Sequence, residues 1–199
     1  SRPLPPSPDI SEPKQTAEKR AKQTDALAPR PALAFGYHVP QRWTPEHFAF
    51  SLIDEILLQG EASRLQWDLV QRRGYTDGVS GGINLLGNMF NYSGPMLWSA
   101  GLIHDPATTE AQLMAGIDEN IERIRTEPVT QEELDRAPRK IRAHLYDLVG
   151  SSTKTGLVDL LACFALFDDD PKRVNSIEAE FAKVTPELIR TAAQEYLRR

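Results

Sequence analysis

Every segment that reads as β-strand lies before residue 107, and every segment after it reads as helix; this division constrains the fold more than any other feature of the chain. Helices are expected at about 108–126, 130–149, 153–167, 171–182 and 185–198 from helical periodicity and end signals. Thr130 and Glu133 have the spacing of a capping box, and Thr185-Pro186 places an N-cap before a proline at the first helical position. Pro138 falls inside the second of these helices. It removes a backbone bond, so it is expected within the first two turns, where that loss costs least, and should kink the helix there.

The first half alternates differently. Leu33, Phe35, Tyr37 and Val39 fall on one face of an expected strand, with Ala34, Gly36 and His38 on the other. Residues 18–25 read weakly as another strand. Thr44-Pro45 opens a helix that buries Phe48, Leu52, Ile53, Ile56 and Leu57 and stops at Gly60. A second helix is expected at about 62–72, ending at Gly74. Strand-like runs at about 75–84 and 91–103 flank Gly87-Asn88 and suit a hairpin or meander. Strands followed by a run of helices imply an α+β domain, an antiparallel sheet with helices packed on one face. Five prolines within Ser1–Pro13 suit an extended linker, so the chain divides into a linker at 1–17 and a single domain at 18–199.

Composition narrows the function. The 199 residues are 40% hydrophobic and 26% charged, enough for a sizeable core. A net charge of −5, with Lys14, Lys19, Arg20 and Lys22 as the one basic cluster, gives no footprint for nucleic acid. No stretch approaches the roughly 18 consecutive apolar residues of a membrane span. The single cysteine, Cys163, sits in an apolar run and reads as a buried thiol, which excludes an internal disulfide or a multi-cysteine metal site.

A search for catalytic groups returns little. No two of His38, His47, His104 and His144 stand at helical metal spacing, and neither His-Glu-x-x-His nor His-x-x-Glu-His occurs, so no catalytic residue and no metal ligand is assigned in this chain. Gly81-Gly82 matches neither a phosphate loop nor a dinucleotide fingerprint, and no serine stands in a Gly-x-Ser-x-Gly elbow. Ser151-Ser152 reads as capping, and Asp168-Asp169-Asp170 as carboxylates at the positive end of the helix they precede.

One segment is distinctive: Gly60-Glu61-Ala62-Ser63-Arg64-Leu65, followed by Arg73-Gly74. With the entry Tyr37-His38-Val39-Pro40 and the ending Val184-Thr185-Pro186-Glu187, it resembles the C-terminal, non-zinc domain of pitrilysin-, insulinase- and mitochondrial-processing-peptidase-like zinc peptidases. The resemblance implies one wall of a chamber for unfolded peptide, opposite a zinc-bearing N-terminal half or related subunit. It implies zinc only in that other half, admits a homodimer, and leaves the compartment open between bacterial periplasm and cytoplasm. The alternative is a degenerate subunit that binds peptide or supports structure without proteolysis. Such domains contribute an Arg and a Tyr seven residues apart that assist at the oxyanion. Aligned on Ser63-Arg64-Leu65, those positions fall on Val70 and Asp77, which become the candidate substrate-chamber residues. The family also continues past its last helix with one more strand, so the domain is expected to lack its final strand.

Overall fold

The computed structural model describes residues 9, 11–13, 15–150 and 155–198. Its sheet has three antiparallel strands, β1 (Ala32–His38), β2 (Ser80–Ile83) and β3 (Leu97–Ile103), in the order β1-β3-β2. Six helices follow the expected plan: α1 (Pro45–Leu57), α2 (Glu110–Thr126), α3 (Gln131–Gly150), α4 (Thr155–Asp168), α5 (Ile177–Phe181) and α6 (Pro186–Tyr196). The architecture is α+β, with the helices on one face of an antiparallel sheet.

Register explains which face is covered. Phe35 pairs with Ala100 and Tyr37 with Trp98, so the larger side chains of β1 and β3 lie together on the helix side. Trp98, Ala100 and Leu102 are buried there, whereas Leu33, Phe35 and Tyr37 on the outer strand are half-buried. Gly36, Ser99 and Gly101 take the opposite face. A one-residue slip would exchange these two sets, which makes this register strongly preferred.

Helix α1 runs through the middle of the core, with Phe48, Phe50, Leu52, Ile53, Ile56 and Leu57 each no more than 2% exposed. Its start is set by Thr44, whose side chain accepts from the His47 amide. Its end is set by Gly60 at φ +73°, and Lys140 of α3 donates to the Gln59 carbonyl there while pairing with Glu55. Thr130 and Glu133 close the expected capping box on α3, and Thr185 caps α6. Seven helical residues precede Pro138, just under two turns. A second capping box, Thr109 with Gln112 on α2, was equally readable from its spacing.

Several expected boundaries are corrected. Residues 18–25 form no strand; the segment is exposed throughout and makes no ladder. The run at 75–84 contributes strand only at Ser80–Ile83, and 91–103 only at Leu97–Ile103, because residues 84–96 form a long loop between them. The helix expected at 62–72 is π-helical over Gln66–Arg72, and that at 171–182 divides into a 3-10 turn, Pro171–Ser176, and the short α5. Most of the proline-rich start and the Ser151-Ser152 cap lie outside the described residues.

Candidate functional site

The segment after α1 carries the positions singled out by sequence. The π-helical stretch ends in a left-handed glycine cap: Gly74 adopts φ +64°, its amide bonds to the Val70 carbonyl, and the Tyr75 amide reaches Leu69. Asp68, buried in this stretch, accepts from Arg72, from Arg73 and from Asn120 of α2 at 2.8 Å. Burial opposes its ionisation, yet these three donors together hold the carboxyl below its ordinary range. Arg73 also pairs with Glu119 and lies over the Tyr75 ring. Arg64 makes a two-pronged pair with Glu133 at 2.7 and 2.9 Å. That pairing outweighs burial and brings the Glu133 carboxyl down to about 2.

Val70 is half-buried on this stretch and Asp77 is exposed in the loop before β2. Asp77 is held by Arg30 at 2.8 Å. Neither can act as an assisting Arg or Tyr: Val70 has no donor, and an ionised Asp77 only accepts hydrogen bonds. The nearby guanidiniums are committed elsewhere, Arg72 and Arg73 to Asp68 and Arg64 to Glu133.

Behind α1 lies a second polar cluster that local sequence reading missed. Arg42 pairs with Asp168 at 2.5 Å, both side chains under 10% exposed, and sits over the Phe164 and Phe167 rings. Arg173 joins the same carboxylate and covers Trp43. Asp168 is therefore an ion-pair hub, and only Asp170 performs the capping expected of the acidic run, accepting from the Lys172 amide. Trp43, at φ +65°, packs edge-on to Phe48 and Phe164. His47 beside it is fully buried, and burial lowers it to about 4. Its Nε2 meets the Met89 carbonyl at 3.1 Å. Burial likewise pushes the Tyr92 phenol up. The one available signal for this cluster was the density of aromatic residues around Arg42, since 126 residues separate Arg42 from Asp168.

The remaining histidines are dispersed. His38 lies 3.7 Å from Glu12, His104 Nδ1 meets the Asp105 carbonyl at 2.9 Å, and His144 is exposed on α3. Among the described residues no group of three or more His, Cys, Asp or Glu is placed to hold a metal ion. No described helix is long and apolar enough to cross a membrane. Cys163 is buried. Around the two positions singled out by sequence, Arg30, Arg64, Arg72 and Arg73 are each paired with a carboxylate.

Residues 1–141 match the family described as the Peptidase M16 inactive domain. No curated protein matches the chain. Among solved structures, a protease from Helicobacter pylori superposes with TM-score 0.70 at 20% identity, over 84% of this chain and 38% of its own. An inactive peptidase domain from Bordetella parapertussis gives 0.69 at 23% identity, over 84% and 86%. The M16 inactive domain from Pseudomonas fluorescens gives 0.66 at 23%, over 84% and 37%. This chain therefore spans well under half of the Helicobacter and Pseudomonas proteins and most of the Bordetella domain.

Proposed function

The chain belongs to the inactive-domain family of M16 peptidases, and from that premise we propose that it forms a non-catalytic wall of a peptide-binding chamber, opposite a zinc-bearing domain or subunit. The observation that carries the reading is the fate of the assisting pair. Aligned on Ser63-Arg64-Leu65, the positions of the assisting Arg and Tyr fall on Val70 and Asp77; Val70 is half-buried, Asp77 is paired with Arg30, and Arg72 and Arg73 are bound to Asp68. Zinc, in this reading, belongs to the other half; in support, among the described residues no group of three or more His, Cys, Asp or Glu is placed to hold a metal ion.

A second reading, a degenerate subunit without proteolysis, is favoured by the same loss of the Arg–Tyr pair. The two part over the partner: the first needs a partner with the His-x-x-Glu-His motif, the second does not. For either, purified chain should hold no stoichiometric zinc after dialysis and should leave an unfolded fluorogenic peptide intact. One zinc per chain together with zinc-dependent cleavage would overturn both.

A further inference from the structure

Three polar atoms beside the aromatic core are buried and, among the described residues, have no hydrogen-bond partner: Arg42 Nη1, His47 Nδ1 and the Tyr92 hydroxyl. They share one neighbourhood. The His47 and Tyr92 ring centroids are 6.1 Å apart, and His47 and Phe164 both flank Phe90, at 5.8 and 5.4 Å. Arg42 lies over the same Phe164 ring, and its charge acts on both His47 and Tyr92. A buried polar group without a partner forfeits its hydration and gains nothing in exchange, so three such groups in one place call for a common partner.

The remaining bonds of each side chain define what that partner must be. Arg42 Nη2 is spent on Asp168 at 2.5 Å, so Nη1 is left as a donor. His47 Nε2 stands 3.1 Å from the Met89 carbonyl, which only accepts, so Nε2 carries the ring proton. Burial disfavours the imidazolium and leaves Nδ1 as a bare acceptor. The Tyr92 hydroxyl can do either. An anion would meet the Nδ1 lone pair, and a metal cation would meet the Arg42 charge. A donor, an acceptor and a hydroxyl are satisfied together by a small neutral molecule that both donates and accepts, and a buried water makes about three such bonds.

We propose that these three groups bind one internal water, which accepts from Arg42 Nη1, donates to His47 Nδ1 and bonds the Tyr92 hydroxyl. The water ties the loop between β2 and β3 to the start of α1. That loop is already held to His47 through the Met89 carbonyl, and to Asp159 of α4 through Asn88 at 2.5 Å and Asn91 at 3.5 Å. The water adds a link at Tyr92, where the loop has no other side-chain bond among the described residues. This goes beyond the chamber-wall reading and does not depend on it, since it requires neither zinc nor a second domain.

The test uses the whole chain. A high-resolution crystal structure should show a water within about 3.2 Å of both Arg42 Nη1 and His47 Nδ1. Imidazole nitrogen NMR should find His47 neutral near pH 7, with its proton on Nε2. Tyr92→Phe deletes one bond to the water and should raise the unfolding equilibrium constant in urea about fivefold. The sign of that effect discriminates, because removing a hydroxyl that has no partner is neutral or stabilising. A variant as stable as the wild type, or more stable, overturns the proposal. So does a crystal structure in which Arg42 and His47 are ordered with no density between them, bond each other directly, or share a side chain from elsewhere in the chain. A His47 proton on Nδ1 overturns it as well. If Tyr92→Phe fails to fold, the wild-type crystal structure alone decides.

Discussion

Replacing Asp54 by Asn should uncover a steep pH dependence of stability that the wild-type chain conceals. Asp54 sits on α1 with its carboxyl against the sheet, accepting from Trp98 Nε1 at 2.5 Å and from Gln59 at 3.0 Å. Burial raises it to about 7 despite those donors. Its folded value therefore exceeds its unfolded one, the folded state binds the extra proton, and Asp54 costs stability as pH rises from about 4 to 7. A shift of about three units corresponds to about 4 kcal/mol. His47 acts with the opposite sign. Burial lowers it to about 4, so the unfolded state binds the extra proton and stability grows as pH rises from about 4 to 6.5. That shift corresponds to about 3 kcal/mol. The two slopes nearly cancel between about pH 4.5 and 6.5.

Asp54→Asn removes one of them. Urea unfolding followed by tryptophan fluorescence, at constant ionic strength, should give a nearly flat profile for the wild type in that window. The variant should gain about 1.4 kcal/mol per pH unit, close to 3 kcal/mol across it. The Asn amide faces the Gln59 amide, and that conflict offsets the variant by a pH-independent amount, so the slope and not the intercept carries the result. A variant as flat as the wild type would refute the reasoning, as would a wild type that already rises at the full slope.

Two further substitutions probe the scaffold around the candidate residues. Gly81 has φ +156°, and a Cβ there would come within 2.0 Å of the Ser99 carbonyl oxygen, so Gly81→Ala should separate β2 from β3 and lower the melting temperature by several degrees or more; an unchanged melting curve would contradict that close approach. Glu133→Ala leaves Arg64 buried without its carboxylate and opens the α3 capping box, so it should cost about 3 kcal/mol in urea unfolding, and a loss below about 1 kcal/mol would show the pair to be solvent-screened.

How much of this was legible in the sequence depended on the range of the interaction. The starts of α1, α3 and α6 were readable because Thr44, Thr130 and Thr185 bond to backbone only three residues away. The strand expected at 18–25 was not resolved by pattern, because whether an extended segment joins a sheet depends on what stands beside it, and 15–23 faces a groove. The strand starts expected at 75 and 91 were placed too early, the second for a related reason: Tyr92 is apolar because it packs on His47, not because it lies in a ladder. The π-helical stretch was hidden because Asp68 draws Arg72, Arg73 and a distant Asn120 to one carboxylate. Val70 and Asp77 came from alignment of a motif, and the structure adds what alignment could not, the half-burial of one and the Arg30 partner of the other.

The central claim is that this chain is a non-catalytic half whose chemistry resides elsewhere, and reconstitution tests it most directly. The polypeptide half bearing His-x-x-Glu-His, taken from the same genome, is purified with zinc and assayed on an unfolded fluorogenic peptide alone and with one equivalent of this chain. The account predicts no cleavage by this chain alone, a stable complex on gel filtration, and zinc-dependent cleavage that the mixture performs faster than the zinc-bearing half alone. Cleavage by this chain in the absence of that half, or no complex and no change in rate on mixing, would contradict it.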